Sequence, residues 1–321
     1  MAASLLLLLA LLLDGAAPAA PLRVVVISDL NGSYGSVTYQ PHISDAIRTI
    51  IAMEPDLVIA TGDMVAGQRR PHLTEAEVRA MWGAFHRTVT APLEVAGIPL
   101  AVTPGNHDAS AYSGFERERT LYAETWNEHR PDLEYVGADG YPFTYAFNLG
   151  GVRFTSLDAT TIGALSSDQE SWLAETMSTA GPTRIVFSHL PLWPVAIGRE
   201  TEIIGDPGLA TLFSDLGVDL HLSGHHHAYY PGESGGIAYV AQSCLGAGPR
   251  KLIGTTVRTE PGFTVLDISE AGVIEVASLS GPDFTSPLDV ETLPPTIEVG
   301  AATLRRLDLS GLQSVRTTPS R

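Results

Sequence analysis

The chain is short of cysteine, of lysine and of long apolar runs. Each shortage excludes something. With one cysteine, Cys244, no intrachain disulfide can form, so stability must come from a packed core and from bound ions. Its apolar surroundings make it a buried, inert thiol in expectation. Of 19 basic side chains only Lys251 is a lysine, and the formal net charge is −17. That balance leaves no basic surface of the kind that holds nucleic acid. The longest leucine-rich run covers residues 5–13, well short of the roughly 20 residues that a spanning helix needs. It is followed by Gly15, Ala16, Ala17, Pro18 and Ala19, a small-residue cleavage pattern. Residues 1–19 are therefore expected to be a signal peptide, although no Lys or Arg precedes the apolar run. The mature protein is expected in the periplasm or outside the cell, with no membrane span.

What the chain does contain is 321 residues with 44% hydrophobic content, enough for one large domain with a real core. Residues 23–28, 56–61, 99–103, 184–188 and 220–223 are short β-branched or apolar runs, the pattern of strands covered on both faces. Helical spacing fills the gaps. Ile43, Ile47, Ile50 and Ile51 share one face before Pro55. Thr74 with Glu77, and Ser167 with Glu170, read as capping boxes opening helices to about Val89 and Met177. Asp206-Pro207 reads as an N-cap and first turn. Residues 115–130 are expected to form a charged, solvated helix. Gly150-Gly151 marks a hairpin. Strands alone follow at 236–241, 263–268 and 273–278. The expected organisation is an α/β layered domain over residues 20–281 and a poorly structured tail over 282–321.

Five of the apolar runs end in a metal-seeking side chain. The strings are Asp29-Leu30-Asn31, Gly62-Asp63, Gly105-Asn106-His107-Asp108, His189 and Gly224-His225-His226-His227. In α/β sheets, ligands gather at the carboxyl ends of strands. Asp29 and Asp63, at corresponding places, can therefore face one crevice. Asn106 adds a neutral oxygen ligand. Asp108 follows His107 and is expected to orient its imidazole. His225 and His227 alternate by two, so an extended chain would turn both to one side and His226 away. His42, His72, His86, His129 and His221 have no such partners and read as surface or core residues. Carboxylates, an amide and imidazoles in this number suit two ions that attack a phosphate ester through bound water.

The order of these strings resembles the calcineurin-like metallophosphoesterases, a superfamily that includes purple acid phosphatases and cyclic-nucleotide phosphodiesterases. The likeness runs from Arg23 to about Ser278. It implies a sandwich of two mixed β-sheets flanked by α-helices. It implies that Asp29, Asp63 and His227 hold one metal and that Asp63, Asn106, His189 and His225 hold the other, with Asp63 shared. It implies that His107 stabilises the phosphate or protonates the leaving oxygen, with Asp108 behind it and Asn106 also at the phosphate. Two positions depart from the family pattern. Asn31 stands where a His is usual, and Ala66 where an Asp or the Tyr of purple acid phosphatases would be. An amide oxygen in place of a nitrogen favours harder ions at the first site, so manganese is the expected metal, with iron or zinc open at the second.

The expected function is hydrolysis of a small-molecule phosphate ester, mono- or diester, by an exported enzyme. Two other readings stay open. One is a non-catalytic metal-binding scaffold with a degenerate first site. The other is an extracellular nucleotidase or nuclease, which for nucleic acid would require Arg117, Arg119 and Arg130 to gather on one face. Tyr34, Tyr112, Tyr229 and Tyr230 are candidates for stacking on a base.

Overall fold

A computed structural model describes residues 20–246, 248–300 and 302–318. The expected signal peptide over 1–19 lies outside the described residues. Three apolar strands open the fold: β1 (Leu22–Ile27), β2 (Leu57–Ala60) and β3 (Leu100–Val102). They run parallel, and residues 24–27 and 57–60 are fully buried, as continuous Val/Ile runs covered on both faces must be. Helix α1 (Pro41–Ala52) connects the first two strands, burying Ile43, Ala46, Ile47 and Ile50. Helix α2 (Glu75–Phe85), a π-helical turn (His86–Thr90) and α3 (Ala91–Val95) connect the next two. The Thr74 capping box forms: Thr74 accepts from Glu77 N and Glu77 from Thr74 N. Two helices follow β3, the single turn α4 (Asn106–Ala109) and α5 (Glu116–Glu128).

A second sheet then begins with β4 (Glu134–Gly140), β5 (Thr144–Leu149) and β6 (Val152–Ser156). Helix α6 (Ser167–Ser178), β7 (Thr183–Ser188), α7 (Pro207–Asp215) and β8 (Leu220–Ser223) continue it, and β9 (Tyr230–Ser234) and β10 (Ile237–Ala241) follow. Strands β11 (Gly262–Ile268) and β12 (Ile274–Ser280) return to the first sheet. The C-terminal segment adds β13 (Thr296–Val299), β14 (Ala302–Arg306), α8 (Leu307–Ser310) and β15 (Val315–Thr317).

The first sheet has the order β15-β12-β11-β1-β2-β3, the second β13-β14-β9-β10-β8-β7-β6-β5-β4. Both are mixed: in the first, β1, β2 and β3 run parallel along one side and β11 and β12 are antiparallel neighbours, with β15 parallel to β12, whereas in the second a parallel centre of β6, β7, β8 and β10 is flanked by antiparallel strands. Tyr145 ties the sheets together near the site. Its hydroxyl donates to Val102 O at 2.6 Å and accepts from Val102 N at 2.9 Å.

Three expectations need correction. The segment after Gly281 is structured, because its strands are only three to five residues long but alternate buried and exposed positions, with Ile297, Val299 and Leu304 facing inward. Arg306 pins it by donating to Val290 O at 2.7 Å and Leu293 O at 2.8 Å. The cap of α6 is Ser166, whose hydroxyl accepts from Gln169 N, one residue before the expected Ser167. Helix α5 is not simply solvated, since Glu118 is 4% exposed and Arg119 pairs with Asp158 at 2.5 Å.

His221, on β8, is fully enclosed, and its Nε2 bonds the Ser188 hydroxyl at 2.8 Å. Burial pushes its pKa from 6.5 down to about 3. The unfolded chain thus takes up a proton that the folded chain refuses. Stability from this group is present above pH 6.5 and is lost as pH falls from 6.5 toward 3. His221→Gln is expected to flatten the loss between pH 7 and pH 5 by roughly 2 kcal/mol, read from urea unfolding at the two pH values. An unchanged slope would show that His221 is not the group that refuses the proton.

Candidate metal centre

Each candidate loop starts within three residues of a buried parallel strand, and the loops are stitched to one another. Asp29 N donates to Gly62 O at 3.0 Å, Leu30 N to Asp63 O at 2.9 Å, and Gly224 N to His189 O at 3.0 Å. The packing is close enough to require glycine. A Cβ on Gly105 would lie 2.0 Å from Asp63 N, and one on Gly224 would lie 2.2 Å from Ser28 Oγ. Asp29, Asp63, His225 and His227 all adopt left-handed φ, between 50° and 65°. Such conformations cost of order 1–3 kcal/mol each and persist only where the surroundings impose them.

The loops bring two groups of side chains together. In the first, single ligand atoms of Asp63, His189 and His225 all lie within 4.8 Å of one another. Asn106 joins them, its Oδ1 2.9 Å from His189 Nε2. In the second, His227 Nε2 is 3.0 Å from Asp29 Oδ1. Asn31, 8% exposed, lines the same cavity of about 560 Å³, together with Asp63, His225 and His227. Asp29 and Asp63 are 0% and 2% exposed, and buried carboxylates need opposing charge.

The outer contacts decide which imidazole nitrogen faces inward. Nδ1 of His189 meets Thr61 O at 2.9 Å, Nδ1 of His107 meets Gly67 O at 2.9 Å, and Nδ1 of His227 meets Gly248 O at 3.1 Å. A carbonyl only accepts, so these Nδ1 atoms carry hydrogen and Nε2 is left for the interior. His225 is reversed. Its Nε2 meets Glu202 Oε2 at 3.0 Å and its Nδ1 faces His189 Nε2 at 3.2 Å. Hydrogen bonds from His225 and Arg199 hold Glu202 down at about 2. Carbonyl and carboxylate partners of this kind orient metal-binding histidines.

Burial opposes charge on His189 and His227, but Asp63 and Asp29 outweigh it and raise them to about 9 and about 10. Burial likewise works against ionised Asp63, and His189 and His107 overcome it and hold the carboxyl far below its usual range. The donor set fits divalent cations: two carboxylates, amide oxygens and three inward imidazole nitrogens.

Most expected site residues converge here, with two differences. Asp108 does not touch the His107 ring. Its carboxylate accepts from Val65 N at 2.9 Å and Gly105 N at 3.0 Å, while Gly67 O orients the imidazole. Successive residues on α4 point about 100° apart, so Asp108 cannot stand behind His107. It is a brace for two loops. The second difference is the backbone of residues 225–227, which is not extended. Left-handed turns at His225 and His227 aim both side chains at the cluster, driven by the bond from His225 N to Asp29 at 3.0 Å. His226 does point away, buried, with Nδ1 accepting from Val195 N at 3.2 Å and Nε2 on Glu202 O at 3.1 Å.

Sequence reading missed Gln68, Glu202, Arg199 and Arg250, all on the cavity wall. Gln68 takes Asn106 Nδ2 at 2.7 Å, which turns the Asn106 oxygen inward. Glu118, on α5, accepts from Gln68 N at 2.9 Å. No motif marks these residues. Only Gln68, five positions after Asp63, lay near a recognised string.

Removing metal with a chelator is expected to lower the thermal midpoint, and divalent metal to restore it, because ions that bind only the folded chain stabilise it. A scan unchanged by chelator would show that the cradle holds no stabilising ion. Glu202→Gln is expected to weaken metal affinity about 10- to 100-fold in a metal titration, with circular dichroism unchanged. Equal affinity would make Glu202 irrelevant to the centre.

The description of one family, calcineurin-like phosphoesterase, matches residues 22–229. Over 252 residues the chain is 24% identical to tartrate-resistant acid phosphatase type 5 of Rattus norvegicus, covering 73% of this chain and 76% of that protein. Its fold is similar to purple acid phosphatase PPD1 from yellow lupin (Lupinus luteus) seeds, with a TM-score of 0.59 and 18% identity over 80% of this chain. The chain spans 51% of the lupin protein, about half its length. A dimetal phosphatase from Danio rerio is also similar, with a TM-score of 0.52 and 16% identity, covering 78% of this chain and 94% of that one. The family match starts at β1 and runs through the histidine loop after β8, and the chain belongs to the calcineurin-like phosphoesterase family.

Proposed function

We propose that this protein is an exported hydrolase of small phosphate esters that works with two divalent metal ions, manganese first among them. The observation that carries the reading is His107. Its ring is fixed by Gly67 O, and its Nε2 lies at the edge of the cluster, 3.9 Å from Asp63 Oδ2, with the side chain 22% exposed to the cavity. An imidazole aimed at the cluster but reached by solvent suits a proton donor better than a structural role.

Asp63, Asn106, His189 and His225 would hold one ion, and Asp29, Asp63 and His227 the other, with Asn31 beside it. Bound there, the ions supply Lewis-acid activation of water and neutralise phosphoryl oxygens. The protein's own part is positional. Gln68 and Glu202 fix the orientation of Asn106 and His225. As water adds to phosphorus and releases a proton to solvent, the bond to the leaving oxygen breaks, and that oxygen takes the electron pair. His107, placed with Nε2 toward the cluster, would act as the general acid that gives the leaving oxygen its proton.

The short apolar run at 5–13 supports export, and among the described residues no helix is long and apolar enough to cross a membrane. A nuclease reading gains nothing. Arg119 lies over Phe143 and pairs with Asp158, and Arg130 lies over Tyr135 and Tyr141, so no free cationic face forms from them.

The test is a metal-analysed protein assayed with p-nitrophenyl phosphate, its bis ester and nucleotides, with Mn²⁺ added. Turnover with two metal equivalents per chain is expected. Silence on all substrates with metals bound would sink the reading, and one equivalent or none would favour the scaffold. His107→Ala is expected to lower kcat about 10²- to 10⁴-fold while retaining metal. Loss of metal along with rate would make His107 structural.

A further inference from the structure

Beside the cavity over the metal cradle lies a second hollow of about 750 Å³. The two share Tyr34, Gln68 and Tyr112 as a common wall. The four candidate tyrosines divide cleanly. Tyr229 and Tyr230 are 0% exposed and belong to the core, whereas Tyr34 and Tyr112 are 57% and 44% exposed and stand along this groove. The Tyr34 ring lies 5.2 Å from the His107 ring, so it begins where the proton donor ends. Tyr112 is steadied by Ile162 N, which donates to its hydroxyl at 3.2 Å.

The second hollow is also lined by Arg69 and Arg70, beside Phe115. Arg70 donates to Ser113 O at 3.0 Å and lies 5.2 Å over the Phe115 ring, so its position is set without a carboxylate. Glu77, which also feels Arg69, is committed to hydrogen bonds from Thr74. A chain with a net charge of −17 thus places two adjacent exposed arginines on the wall of the hollow that adjoins its metal cradle.

We propose that this groove is a leaving-group subsite for a nucleotide that carries a second phosphate. The scissile phosphate occupies the cradle, the base lies against Tyr34 and Tyr112, and the second phosphate meets Arg69 and Arg70. Aromatic side chains stack on any base, and guanidinium forks match phosphate oxygens. The proposal rests on the phosphatase reading for its scissile end alone.

The test separates the two. With inorganic phosphate held constant to fill the cradle, the metal-loaded protein is titrated with adenosine 5′-monophosphate and with adenosine. The monophosphate is expected to bind at least tenfold more tightly than adenosine. Arg69→Gln should erase that difference, and Arg69→Lys should restore part of it. Tyr112→Ala should weaken both ligands. In turnover, kcat/KM for adenosine 3′,5′-bisphosphate relative to glycerol phosphate is expected to fall at least tenfold in Arg69→Gln, through KM. Equal affinity for the two ligands in the wild type, or an unchanged ratio in Arg69→Gln, would overturn the subsite. If glycerol phosphate and every other ester are untouched, the phosphatase reading fails, and the titrations still decide the groove.

Discussion

A carboxylate with almost no access to water governs this structure. Asp63 is 2% exposed, accepts from His107 N at 2.8 Å, and faces His189 Nε2 at 3.4 Å. Those partners come from the loops after β3 and β7, and Asp63 itself follows β2, so one side chain joins the ends of both sheets. Burying its charge unpaired would be prohibitive, so positive partners must gather around it. Imidazoles do this in the protonated state, and cations can replace the protons. The left-handed φ of 53° at Asp63 and the missing Cβ at Gly105 are what allow the loops to approach.

The sheet architecture supplies the convergence. The parallel strands β1, β2 and β3 of one sheet and β7 and β8 of the other carry their carboxyl ends to the same edge of the sandwich, where loops from different strands meet. The backbone there is strained at Asp29, Asp63, His225 and His227, and the regular hydrogen bonding of the fifteen strands among the described residues is what can hold such strain in place. The C-terminal strands take part in this, since β13 and β14 extend one sheet and β15 borders the other.

Around this shared frame, the loops set the individual character of the site. Glu202 and Arg199 come from the connection after β7, Arg250 from the one after β10, and Gln68 from the one after β2. Arg250 donates to His225 O at 3.0 Å, so the cavity rim and the cluster are mechanically continuous. Asn31, on the wall of the same cavity, is a neutral side chain and adds no charge to the site.

The sequence by itself determined the strands that end in candidate ligands, and through them the family and which side chains meet in the cradle. Buried β-branched runs and ligand-type residues are local signals, legible one segment at a time. Asp29, Asp63, Asn106, His189, His225 and His227 were all readable in this way. Tertiary structure alone decided the rest. It made Asp108 a brace, because neighbours on a helical turn diverge. It brought Glu202 to His225 Nε2 across 23 positions and turned Tyr229 and Tyr230 into core while leaving Tyr34 and Tyr112 at the groove. It also ordered the C-terminal strands, whose few residues carry too weak a period to be read without their neighbours. These outcomes depend on which distant chain segment packs against a side chain, and that information is not carried in local spacing.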